Sequence, residues 1–204
     1  MSAPFPQFRT GNAADADALA ELVNIAGDGM PLHLWAKSAR PGQSAWEVGR
    51  ERARLGLGGF AFQNTIVAEV DRRVAACLFG CPLAESPPPP DGPLPAMLAP
   101  LVELQRLVAD SWYINILATF PAFRGRGLAT ALLGLAEARA ADARCPRVSL
   151  ILSNANAVAR RLYEKCGFVE VGRRPIVTDG WEHSGTEWTL LAKAVTGGRP
   201  REAS

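Results

Sequence analysis

The chain has 204 residues, enough for one well-filled hydrophobic core, and a single domain over residues 1–196 is expected. Hydrophobic residues make up 48% and charged residues 21%, and a formal net charge of +2 excludes the strongly basic balance of a nucleic-acid binder. No apolar run reaches the length of a leader or a membrane span, so a cytoplasmic protein with no membrane partner is expected.

In chain order, "FPQFRTGN" reads as a short strand, followed by a helix with Asn12 as N-cap and Asp15 at its third position. Leu19, Leu22, Val23 and Ile25 approximate one apolar face of that helix. "GDGMPLHLWAK" is a turn into a short amphipathic piece carrying Leu32, Leu34 and Trp35, and "SAWEVGRERARLGLG" a polar helix. "FAFQNTIVAEVDRRVAACLFGC" alternates as a β-hairpin turning at Asp71–Arg72–Arg73. Phe62, Asn64, Ile66, Ala68 and Val70 fall on one face, Val67 and Glu69 on the other. Residues 85–96, "ESPPPPDGPLPA", form a proline-rich loop insertion, because proline removes donors and fixes φ.

"MLAPLVELQRLVAD" then reads as a helix and "SWYINILATF" as a central strand. "LATALLGLAEARAADA" is a helix whose apolar face is expected at Leu128, Ala131, Leu132 and Leu135. "RVSLILS" is a strand, "NANAVARRLYEKCG" a helix closed by Gly167, and "FVEVGRRPIV" and "TEWTLLAKAV" pair as the last strands. Residues 197–204 read as a disordered tail. The order describes a mixed α/β domain. Cys77, Cys81, Cys145 and Cys166 contain no Cys-x-x-Cys pair, and only His33 and His183 could join them, so no metal site is expected.

The chemical question lies in "TFPAFRGRGLATALL", where a glycine-rich turn connects a strand to a helix. A nucleotide P-loop needs a Gly–Lys end, and the chain has no Gly–Lys dipeptide. A dinucleotide fingerprint begins at Gly125-x-Gly127, but Thr130 replaces the third small residue and the next strand ends in Ser153–Asn154 instead of an acid. What remains is either a plain tight turn or another diphosphate cradle, in which N–H groups from Arg124 to Thr130 converge on an anion at a helix N-terminus.

This segment resembles the signature of the GCN5-related N-acetyltransferase superfamily, with Arg124, Gly127 and Ala129 at its marked positions. "NANAVARRLYEKCGF" is similar to the family's second conserved segment, matched by Asn156, Ala159, Leu162, Tyr163, Gly167 and Phe168. The opening "FRTGNAADADALAELV" also resembles the family's first strand and helix, so the likeness spans about Phe8 to Ala194. It implies an α/β (α+β) fold with a mixed, largely antiparallel central sheet, splayed fourth and fifth strands and flanking helices.

The same resemblance implies acetyl-CoA as acyl donor and a primary amine of a small molecule or peptide as acceptor. Its diphosphate would sit on Arg124, Gly125, Arg126, Gly127, Leu128, Ala129 and Thr130, and its pantetheine along Leu117, Ala118 and Thr119. Asn156 would bond the pantetheine or cap its helix, and Tyr163 would hand a proton to the departing thiolate or simply pack beside Leu162. The general base stays open: the fourth strand carries no carboxylate, which leaves Glu69, Glu103, Asp110, Asn115 or a water relay. The acceptor would meet a region holding Asp28, His33, Trp35, Trp112, Tyr113 and Trp181, and a homodimer is compatible with the sequence. A non-catalytic acyl-CoA-binding protein of the same fold is the competing expectation.

Overall fold

The computed structural model describes residues 5–55, 65–83 and 94–195. The proline-rich insertion up to residue 93, the tail from 196, and Phe62 and Asn64 of the expected hairpin lie outside the described residues. The chain divides into two compact units, one running to Gly80 and taking in Ile116–Leu133, the other made of Cys81–Asn115 and the residues from Gly134 onward.

The first unit begins with β1 (Gln7–Thr10), α1 (Ala16–Ala26), α2 (Met30–Ser38) and α3 (Ala45–Leu55), followed by β2 (Thr65–Val70) and β3 (Arg73–Pro82), whose last two residues are counted with the other unit. β1 pairs antiparallel with β2, and β2 with β3. The β2–β3 connection falls where expected, with Asp71 and Arg72 at φ of 50° and 59°. Two consecutive left-handed residues make the primed turn whose twist suits a hairpin. Ile66, Val67, Ala68 and Val70 are all buried, so both faces of β2 are covered. A register shift between Ala68 and Glu69 also interrupts the alternation.

α1 is entered through a capping box. Asn12 Oδ1 accepts the Ala14 N–H at 2.9 Å, and the Asn12 N–H donates to Asp15 Oδ2 at 2.9 Å. Leu19, Leu22 and Val23 go into the core, whereas Ile25 lies at the margin of that face and is exposed. The core is completed by Trp35, Val48, Val67, Phe79 and Ile116. Gly49 in the middle of α3 permits close approach, since a Cβ there would collide with the Trp35 ring.

The second unit contains α4 (Ala99–Arg106), the first half of β4 (Ser111–Thr119), β5 (Arg147–Ser153), α6 (Ala157–Lys165), β6 (Val169–Pro175) and β7 (Glu187–Ala194). α4 is shorter than the expected helix, because Leu107 and Val108 donate to Leu104 and Gln105 in tight turns that lead into β4. β4 and β5 run parallel from Ser111↔Arg147 to Ile114↔Leu150, and the register ends there. β7 inserts antiparallel between β5 and β6, so the seven-stranded order is β1-β2-β3-β4-β5-β7-β6. The sheet is mixed and largely antiparallel, as expected.

α5 (Leu128–Asp142) has residues in both units. Its buried stripe is Leu128, Leu132, Leu133, Ala136 and Ala140; Ala131 is exposed and Leu135 half-buried. The expected face was therefore rotated, because alanines and leucines surround this helix and the pattern selects no single side.

Candidate active site

The glycine turn belongs to the first unit. A short 3-10 turn over Pro121–Phe123 leads to an extended Arg124, and then Gly125 and Gly127 adopt φ of 75° and 76° before α5 starts at Leu128. Nothing lies within 4 Å of a Cβ built on either glycine. Glycine is required here by conformation, with open space in front of the backbone. The N–H groups of Gly125, Arg126, Gly127, Leu128, Ala129 and Thr130 meet no acceptor among the described residues, while Arg124 N–H donates to Pro121 and Ala131 N–H to Gly127. Successive unpaired donors at a helix start, reinforced by its dipole, attract an anion. The arginine side chains turn to the protein: Arg124 Nε donates to Thr119 O at 3.4 Å, and Arg126 lies 5.3 Å from the Phe123 ring centre.

Leu117 and Thr119 on β4 are half-buried and Ala118 is buried. In the second unit, Asn156 is the N-cap of α6, its Oδ1 accepting the Ala159 N–H at 3.1 Å. Gly167, at φ 87°, closes that helix as expected. Tyr163 is buried on α6, and its ring stands against Phe168. Burial pushes its phenol above the ordinary value, with Cys166 and Tyr113 adding to the shift. The phenol therefore stays protonated and able to donate. Its hydroxyl has no hydrogen-bond partner among the described residues.

The side chains considered as bases are already engaged, apart from Asn115, which is exposed and has no titratable group. Asp110 accepts from Arg147 at 2.8 Å, Glu103 from Arg174 at 2.7 Å, and Glu69 from Arg9 at 3.0 Å. Of the residues named for the acceptor region, Trp35 and, in the other unit, Trp112, Tyr113 and Trp181 are buried. Burial pushes the Tyr113 phenol up to about 12.

One cluster was not foreseen. His183 Nε2 lies 2.7 Å from Ser153 Oγ, and its ring stacks on Trp181 with centres 4.2 Å apart. The two residues are thirty positions apart, and no spacing rule in the sequence connects them. Among the described residues, no group of three or more His, Cys, Asp or Glu could hold a metal ion, and no helix is long and apolar enough to cross a membrane.

Residues 33–168 match the model of the Acetyltransferase (GNAT) family, and the chain belongs to that family. Comparison with curated proteins gives no match. Among solved structures, the chain is similar to an N-acetyltransferase from Staphylococcus aureus, with 21% identity, a TM-score of 0.64, and coverage of 92% of this chain and 100% of that one. It is also similar to a GNAT-family acetyltransferase from Listeria monocytogenes, with 16% identity, TM-score 0.54 and coverage of 95% and 98%. A third is the ribosomal-protein-S18-alanine N-acetyltransferase from Escherichia coli, with 13% identity, TM-score 0.55 and coverage of 94% of each chain. At these identities the likeness establishes the fold.

Proposed function

We propose that this protein transfers the acetyl group of acetyl-CoA to a primary amine of a small molecule or peptide by direct attack. The observation that carries the reading is the run of unpaired N–H groups from Gly125 to Thr130 around two left-handed glycines. That cradle fits a diphosphate: it offers donors without a competing side chain, and no Cβ fills the approach. When bound, acetyl-CoA supplies an activated carbonyl and a thiolate leaving group. Arg124, Gly125, Arg126, Gly127, Leu128, Ala129 and Thr130 would hold its diphosphate, and the backbone of Leu117, Ala118 and Thr119 would align its pantetheine as an added strand. Asn156 would reach the same arm through the part of its amide not used in the cap.

Tyr163 is the proton donor in this reading. A phenol raised above its ordinary value of about 10 is a weaker acid than a thiol at about 8.5, so proton release to sulfur is uphill by itself. Tyr163 therefore acts first as a hydrogen-bond donor to the developing thiolate. It parts with the proton only as the attacking nitrogen loses its own, which returns the charge to balance. The four free cysteines accord with a reducing, cytoplasmic setting.

The ion pairs on Glu69, Glu103 and Asp110 favour a second reading, a non-catalytic acyl-CoA-binding protein. A thiol-release assay across a panel of amines separates the two. Release that requires both acetyl-CoA and an amine supports transfer; binding in calorimetry without release on any amine supports the second reading.

A further inference from the structure

With those three carboxylates held by arginines, the reaction lacks an assigned group to take the amine's proton. An imidazole is the side chain suited to exchanging protons near neutral pH, and the chain has two histidines. We infer that the Ser153–His183 pair is the base of the acetyl transfer, an assignment that rests on the function proposed above.

The pair is built and held in place within the second unit. Ser153 is the last residue of β5, beyond the final parallel pair at Leu150, and three residues before the cap of the helix that carries Tyr163. Its Oγ accepts the Ala155 N–H at 3.2 Å and, with the imidazole in the tautomer protonated at Nδ1, donates its own hydrogen to His183 Nε2 at 2.7 Å. The ring is clamped by near-parallel stacking on Trp181, inclined by 10°. The loop that carries it is pinned by Asn154, whose Oδ1 accepts the N–H groups of Thr186 at 3.0 Å and Glu187 at 3.3 Å while its Nδ2 donates to Thr186 Oγ1 at 2.9 Å. A Cβ at Gly185 would collide with both Ser153 Oγ and His183 Nε2, so glycine at that position is what lets the pair form. The neighbouring Trp188, 6.0 Å from the His183 ring centre to centre, holds a buried Nε1–H with no acceptor among the described residues.

The proton balance closes. An amine that arrives as an ammonium first gives a proton to Ser153 Oγ while the serine's hydrogen passes to His183 Nε2, and the imidazolium releases it to water. The neutral nitrogen then bonds to the acetyl carbon as the carbon–sulfur bond breaks. Sulfur takes the Tyr163 proton, and the phenolate regains one from the nitrogen. The net products are an amide and a free thiol.

The test compares two acceptors of similar shape, an alkylamine that arrives protonated and an arylamine that is neutral at the assay pH. Only the alkylamine needs a proton removed before attack. His183→Ala is expected to lower kcat about 100-fold with the alkylamine and to stay within about threefold with the arylamine. Coenzyme A affinity by calorimetry is expected to be unchanged. Ser153→Ala, which removes one oxygen atom, should show the same split and carries the comparison if a melt shows that His183→Ala does not fold. Equal losses on both amines, or undiminished alkylamine turnover, overturn the assignment. An unsubstituted protein that releases no thiol with any amine defeats the acetyltransferase reading itself, and the pair's role with it.

Discussion

Tyr163 meets Phe168 edge to face, with ring centres 5.8 Å apart and planes inclined at 61°. The contact uses the ring and leaves the hydroxyl to its own chemistry, so packing and proton donation can be separated by experiment. Tyr163→Phe keeps the edge-to-face pair, worth about 1 kcal/mol, and removes the donor. Turnover in the thiol-release assay should fall about 100-fold with coenzyme A affinity unchanged. Full turnover would remove Tyr163 from the chemistry.

Gly127 tests the cradle. Its φ of 76° costs an L-residue about 1–2 kcal/mol, although a side chain there meets no atom within 4 Å. Gly127→Val should therefore leave the protein folded with a lowered melting temperature, and calorimetry should detect no coenzyme A binding because the donors no longer converge. Retained binding would put the diphosphate elsewhere.

Acid stability should depend on Asp15. Arg9 donates to both its oxygens at 2.7 and 2.8 Å, which together with the Asn12 N–H holds its carboxyl below the usual carboxylate range despite burial. A depressed folded value contributes stability that is complete above the unfolded value of about 4 and is lost as pH falls through the folded one. Thermal melts from pH 7 to pH 2 should show that Asp15→Asn costs about 1–2 kcal/mol at neutral pH and flattens the decline below about pH 4. Parallel curves for the two proteins would assign the acid sensitivity to other groups.

The β2–β3 turn offers a stabilising change. Arg72 sits at φ 59°, at the second central position of a primed turn, where glycine carries no strain. Arg72→Gly should raise stability by about 1 kcal/mol, or about 2–4 °C in melting temperature. A lower melting temperature would mean that the arginine side chain has a role of its own in the fold.

Most elements could be placed from local pattern because their signals are local. The Asn12 capping box, the Asp71–Arg72 turn and the Asn156 cap each depend on residues a few positions apart. α5 shows the limit of this, since an alanine- and leucine-rich helix gives no preferred direction to bury. The glycine turn and the Tyr163 helix were visible because each is a continuous segment of chain. The Ser153–His183 pair was hidden because it depends on strand order: β7 returns beside β5, and that alone brings the loop before it onto the end of β5. The ion pairs that occupy Glu103 and Asp110 likewise join residues distant in sequence, Glu103 with Arg174 and Asp110 with Arg147.

Asn154 extends the end of β5 into the β6–β7 loop by a fork of hydrogen bonds, so the conformational entropy of that loop is lost once, when the chain folds. A ligand arriving there meets a finished surface. Stopped-flow traces of its binding should therefore be a single bimolecular phase, linear in ligand concentration, and warming should abolish binding at this end of the molecule only where the second unit itself melts.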